Sequence, residues 1–215
     1  METMGIKERK AYHIIKTSLE LFCRQGIEDT KVEDVAKAAK VGPATIYRYY
    51  ETKAELTIQC AIWYWKEMAN RYLPLIQSER YMKLDGRGKV NCILDIFVRM
   101  YRDETAFLRF LHEFDVYVQK EGISTKRLEE YERNILDLKV YVTDAMEEGI
   151  RDGTLYNPYT MDELYFTLTH TLLSLMQKLA SLGRIVNSDD MVANVRQVEI
   201  AKELLLQGIT RRDER

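Results

Sequence analysis

Cysteine is scarce, at three residues: Cys23, Cys60 and Cys92 are odd in number, far apart and each set within an apolar helical pattern. That argues against a disulfide framework and a CxxC metal knuckle, and leaves buried free thiols. Proline is equally rare and glycine numbers only ten, so long stretches run without a helix breaker. No stretch approaches the length of apolar run that a membrane-spanning helix needs. The charged start METMGIKERK has no apolar run behind it of the kind a signal peptide carries, so a cytoplasmic protein without a membrane partner is expected. A basic excess is missing too: 32 Lys and Arg stand against 34 Asp and Glu, a net charge of −2. Within residues 1–56 the count is ten against nine. The overall charge signature of a nucleic-acid binder is therefore absent, and any anion-binding face must come from local arrangement.

What is present is helix. Hydrophobic residues make up 46% and charged residues 31%, the balance of a folded chain, and the apolar positions recur at three-and-four spacing instead of alternating. A first helix is expected from Lys7 to Gln25, with Ala11, Ile14, Ile15, Leu19 and Phe22 on its buried stripe and Gly26 as its stop. Thr30 and Glu33 form a T-x-x-E capping box for a second helix over 31–40, whose small face is Val32, Val35, Ala36 and Ala39. Pro43 opens a third, short helix reaching Tyr50, and Thr52 caps a fourth that runs to about Leu73, before Pro74. The second and third are joined by a turn of three or four residues, the geometry of a helix-turn-helix. An irregular connection is expected over 81–89, then helices near 89–102, 104–120, 124–151, 161–182 and 189–207, about nine in all. The G-x-G-K at Gly86 to Lys89 lacks both the spacing and the preceding strand of a phosphate-binding loop.

The segment from Thr30 to Leu56, TKVEDVAKAAKVGPATIYRYYETKAEL, resembles the N-terminal domain of the TetR family of transcriptional regulators. That family's pattern is A-x-x-A-G-V-S, a turn, T-[LI]-Y-x-[HY]-F, then K-x-x-L. Ala36, Ala39, Val41, Thr45, Ile46, Tyr47, Tyr49, Lys53 and Leu56 match it in order and spacing. Lys40 stands where glycine is common, Gly42 where serine is, Ala44 where glycine is, and Tyr50 where phenylalanine is usual. Gly42 is expected to take over the left-handed backbone role that glycine would have at position 40. The resemblance implies an all-α protein. Its N-terminal DNA-binding domain would occupy residues 1–56, and a helical ligand-binding and dimerisation domain residues 57–215.

An α-helix fits the major groove, and its first turns approach the base edges. Gly42, Pro43, Ala44, Thr45 and Arg48 are the candidates there. Thr and Ala methyls suit a thymine methyl, and Arg48 offers a fork to guanine or falls back on a phosphate. By resemblance, Tyr47 and Tyr49 place hydroxyls on phosphates, Lys53 reaches the same backbone, and Thr30 and Lys31 touch phosphate from the start of the second helix. Each has a purely structural alternative: Tyr47 or Tyr50 in the core, Thr30 as a cap only, Lys53 solvated.

Beyond residue 56 the apolar sets ordinarily mean core, while the family encloses an effector pocket in this region. The pocket candidates are Trp65, Met68, Tyr72, Phe97, Met100, Phe107, Phe110, Phe114 and Tyr141, an adaptable wall suited to a small apolar or aromatic effector. A wide apolar arc of Tyr165, Leu168, Leu172, Leu175 and Leu179, with Val198, Ala201 and Leu205 on the last helix, is expected at a homodimer interface, against the alternative of an intrachain core. His112, Glu113 and Asp115 invite a metal or catalytic reading, but adjacent helical residues face different ways, and no nucleophile motif accompanies them. Neither an enzyme nor a cofactor is expected. The partners implied are double-stranded operator DNA and a second copy of the chain. A ligand-responsive repressor on a palindrome is the leading reading. An adaptor of the same fold without specific DNA binding and an activator are the alternatives.

Overall fold

The computed structural model describes residues 5–183 and 185–211. Among these residues eleven α-helices follow one another: α1 (Ile6–Gln25), α2 (Val32–Ala38), α3 (Pro43–Tyr50), α4 (Lys53–Ile76), α5 (Glu79–Met82), α6 (Gly86–Asp103), α7 (Thr105–Lys120), α8 (Thr125–Leu136), α9 (Lys139–Arg151), α10 (Met161–Ser181) and α11 (Asn194–Ile209), with a 3-10 turn at Asn187–Asp190 before the last. The all-α expectation holds, with more helices than the nine anticipated.

The extra elements have causes in packing and in capping. The expected single helix over 124–151 is two, because its halves pack in different compact units. α8 lays Leu128 and Tyr131 on the N-terminal core, while α9 packs against α6. The supposed irregular stretch contains α5, capped by the Ser78 hydroxyl on the Tyr81 amide, and the first turn of α6, capped by the Asp85 carboxylate 2.7 Å from the Gly88 amide. The G-x-G-K fragment is thus a helix start. Pro74 does not stop α4 but lies within its last turn, where it forfeits a single backbone bond.

The chain divides into two compact units, residues 1–67 with 109–134, and residues 68–108 with 135–215. The boundary at residue 56 that the motif suggested falls within the first of these units. The first unit has a continuous core of Ile14, Phe22, Ile27, Val35, Ile46, Leu56, Ile58 and Ile62 from the N-terminal helices, completed by Phe110, Phe114 and Tyr117 of α7. Without those three rings a sequence of some fifty residues has little apolar surface to enclose, the usual difficulty of very small domains. Cys60 is fully enclosed here and burial raises the Cys23 thiol to about 11, as expected of inert thiols.

In the second unit α6 is central and packs against α9, α11 and α10. It crosses α9 at two glycines: a Cβ added at Gly86 would sit 2.0 Å from the backbone nitrogen of Gly149, so side chains are excluded on contact grounds. Beside this crossing the buried Lys89 ammonium meets both carboxylate oxygens of Glu148 at 2.6 Å.

Candidate nucleic-acid interface

The short helix α3 is held from behind. Ile46 and Tyr50 are buried, and the Tyr50 hydroxyl donates to the Ala11 carbonyl at 2.9 Å. His13 Nε2 lies 3.2 Å from the Ala39 carbonyl, a second tie between α1 and the end of α2. With that side fixed, the helical period turns the opposite side outward. Pro43, Ala44, Tyr47 and Arg48 are exposed, while Thr45 and Tyr49 are half-buried. The Arg48 guanidinium carbon lies 5.8 Å from the centre of the Tyr49 ring, and Tyr49 tilts against Tyr50 with centroids 6.1 Å apart. Gly42, exposed and extended at φ −75°, is the N-cap, and Pro43 fills the first helical position.

Gly42 therefore does not take the left-handed role expected of it. Lys40 does so itself, at φ 53°, because the chain must reverse directly at the end of α2, where the Val41 amide bonds back to the Ala36 carbonyl. A lysine held left-handed costs about 1 kcal/mol or somewhat more. Lys40→Gly is accordingly expected to stabilise the protein by about 1 kcal/mol, with a Tm rise of about 2–4 °C by differential scanning calorimetry. An unchanged or lower Tm would count against strain at this turn.

The entrance to α2 also differs from expectation. The N-cap is Lys31, whose amide donates to the Asp34 carboxylate at 3.0 Å, one register later than the predicted Thr30–Glu33 box. Thr30 is 1% exposed, and its hydroxyl donates backward to the Gly26 carbonyl at 2.6 Å. Its side chain holds the turn, and Lys31 is the exposed residue at that helix start. The Thr52 cap of α4 is as predicted, accepting from the Glu55 amide at 3.1 Å.

Lys53 is half-buried: its ammonium donates to the Glu28 carbonyl at 3.0 Å and sits 5.6 Å from the centre of the Tyr117 ring. Burial pulls its pKa below the usual lysine value, against the opposing pull of Glu28, Glu121 and Asp29. Burial also pushes the Tyr117 phenol up to about 12. Lys120 forms an ion pair with Glu28, and Arg127 reaches Glu55 at 3.7 Å. Sequence reasoning missed Glu28, Tyr117, Lys120 and Arg127, and singled out Glu113 only for a metal or catalytic reading that it set aside. Most are partners across some 70 to 90 positions, with no local signal to join them.

The pocket candidates are divided between the two units. Trp65, Phe110 and Phe114 belong to the first unit, where Phe114 packs on Tyr131 at 4.9 Å and Trp65 donates to the Tyr131 hydroxyl at 3.2 Å. Met68, Tyr72, Phe97, Met100, Phe107 and Tyr141 belong to the second, where Met68, Tyr72, Met100 and Phe107 are buried. A groove of about 310 Å³ between α6 and α11 is charged, lined by Asp95, Arg99, Arg102, Glu199 and Lys202 among others, and by none of these candidates.

Of the dimer candidates, Tyr165, Leu168, Leu172 and Val198 are buried within the single chain, and Leu175, Leu179, Ala201 and Leu205 are half-buried. α10 and α11 spend that stripe packing against each other and on α6. Their exposed apolar residues are instead Phe166, Leu182, Ile200 and Leu204, the last 64% accessible.

A short helix with a locked back and an exposed Pro-Ala-Tyr-Arg front, preceded by a capped helix at a tight turn, has the geometry of a helix-turn-helix. Residues 14–60 match the family model of bacterial regulatory proteins, tetR family. The match covers the N-terminal helices of this chain, about a fifth of its length, and is specific to that segment. Among curated relatives, the HTH-type transcriptional regulator TcmR of Streptomyces glaucescens is 38% identical over 58 residues, 25% of this chain and 26% of that protein. The alignable part thus spans about a quarter of this relative's length. Similar solved structures cover nearly the whole chain. A Saccharomonospora viridis protein in complex with choline superposes with a TM-score of 0.73 at 15% identity, over 95% of this chain and 99% of that one. The transcriptional regulator FadR of Bacillus subtilis, in complex with stearoyl-CoA, gives 0.65 at 18% identity, over 92% and 98%. At these identities the likeness is one of fold.

Proposed function

We propose that this chain is a ligand-responsive transcriptional repressor that binds a palindromic operator as a homodimer. The observation that carries the DNA-binding part is the exposed front of α3, Pro43, Ala44, Tyr47 and Arg48, presented by a helix whose other side is fixed through Ile46 and Tyr50. The front approaches base edges. Lys31, Tyr49 and Lys53 flank it for phosphates, which set position and not sequence.

The test is selection by the purified protein from a random duplex pool at stated, near-physiological salt, beside a Tyr49→Phe, Lys53→Ala double variant. A recovered palindrome is expected, with binding in the variant weaker by on the order of tenfold or more and a shallower dependence on salt. Recovery of no sequence by a folded protein would sink specific recognition and favour an adaptor.

Two recognition helices on a two-fold site require a dimer. The exposed apolar residues Phe166, Ile200 and Leu204 of α10 and α11 are the surface proposed for it. Leu204→Glu is expected to shift the protein to monomer in sedimentation velocity with little loss of Tm, since Leu204 is 64% exposed in the single chain. A variant that stays dimeric moves the interface elsewhere.

The effector is proposed to be a small, largely apolar organic molecule held by the second unit, where Met68, Tyr72, Met100 and Phe107 supply apolar and polarisable surface. The choline and stearoyl-CoA held by neighbours of the same fold support an organic ligand. Helices α4 and α7 each contribute residues to both units and are the proposed route of coupling, by a difference in ligand affinity between two arrangements of the dimer.

A further inference from the structure

The turn between α1 and α2 is gripped by a helix far from it in sequence. Glu113 of α7 accepts a hydrogen bond from the Ile27 amide at 2.9 Å, across 86 positions. Ile27 is 1% exposed, so this amide has little access to water, and losing its acceptor leaves a buried donor unpaired. Gly26 makes the approach possible: its φ is +90°, and a Cβ there would sit 3.3 Å from the same carboxylate oxygen. From Gly26 onward the turn is tied at each step. Thr30 bonds to the Gly26 carbonyl, Lys53 to the Glu28 carbonyl, and Lys120 of α7 to the Glu28 carboxylate. The exposed Lys31 follows immediately, so the position of this turn sets where both Lys31 and Lys53 stand.

We infer that Glu113 is a positioning residue for DNA binding, its carboxylate holding the α1–α2 turn so that Lys31 and Lys53 lie in register with α3. This rests on the DNA-binding reading above. A carboxylate near a phosphate-binding face repels DNA, so on charge alone its removal tightens binding. Positioning predicts the opposite, and the sign separates the two.

The experiment measures affinity for the selected operator across a salt series, with amide exchange at Ile27, for Glu113→Gln, Glu113→Asp and Glu113→Ala. Gln keeps an acceptor oxygen at the same reach and loses the charge; it is expected within about twofold of wild type. Asp keeps the charge but is a methylene too short, and Ala has no acceptor. Both are expected to bind about tenfold more weakly, with an unchanged salt slope and faster exchange at Ile27. If Ala does not fold, the Gln and Asp pair decides the matter. Asp binding like wild type despite faster Ile27 exchange overturns the inference, as does Gln losing as much as Asp. Failure of the DNA-binding reading looks different, with wild type selecting no sequence, and takes this inference down with it.

Discussion

Phe110→Ala is expected to destabilise the first unit by about 3–5 kcal/mol and to abolish DNA binding at ordinary temperatures, although residue 110 lies well outside the matched segment 14–60. Its ring is 1% exposed and packs within one aromatic group, 6.4 Å from Phe22, 5.7 Å from Tyr64 and 6.2 Å from Phe114, centroid to centroid. Truncation removes the transfer free energy of a phenyl group and leaves a cavity between elements that relax only in part. Phe110→Leu refills most of that volume and is expected to cost less than half as much. Urea unfolding followed by circular dichroism measures both. An Ala variant with wild-type stability would show that α7 is not part of the N-terminal core. The corollary concerns a fragment: residues 1–67 alone are expected to melt without cooperativity, because Phe110, Phe114 and Tyr117 would be missing from their core.

Glu148→Ala is expected to cost about 3 kcal/mol, more than is usual for a residue with a third of its side chain in solvent. The reason is its partner. Lys89 is 7% exposed, with its ammonium 2.6 Å from both Glu148 oxygens and 5.7 Å from the Tyr81 ring centre. Removing the carboxylate strands a buried positive charge, and the cost falls at the low end of the buried-pair range because solvent reaches Glu148. The double variant Lys89→Met, Glu148→Leu removes both desolvated charges and is expected to lie within about 1 kcal/mol of wild type. Thermal melts of the single and double variants check this. Equal losses in both would show that packing, and not charge compensation, matters at this crossing of α6 and α9.

How much was legible without coordinates can be judged from particular residues. The helices of the DNA-binding end lie within a few residues of their expected bounds, Thr52 caps α4, and Tyr50 is core. Each of those rests on a relation within one turn of helix or on an apolar position four residues from the next. Where two local solutions were available, sequence chose wrongly. Thr30 and Lys31 are both adjacent to acidic residues three positions on, and the cap went to Lys31 because the Thr30 hydroxyl bonds to Gly26 instead. Lys40 and Gly42 both stand in the turn, and the left-handed conformation fell to the residue that closes α2, whatever its side chain. The apolar stripe of Leu168 and Leu172 was legible as a stripe, but a stripe says only that it is buried, not by which chain.

Composition and periodicity alone therefore determined the all-helical class and the paired helices of the helix-turn-helix, because caps, breakers and three-to-four spacing act over a few residues. Tertiary structure alone decided the rest. It placed α7 in the core of the first unit, tied Ile27 to Glu113 and Lys53 to Glu28 and Tyr117, and buried the Leu168–Leu172 stripe within the single chain. These outcomes depend on which apolar surfaces find each other across tens of residues. Hydrophobic burial is non-directional, so a sequence states how much surface must be covered and leaves the covering partner to the packing of the whole chain.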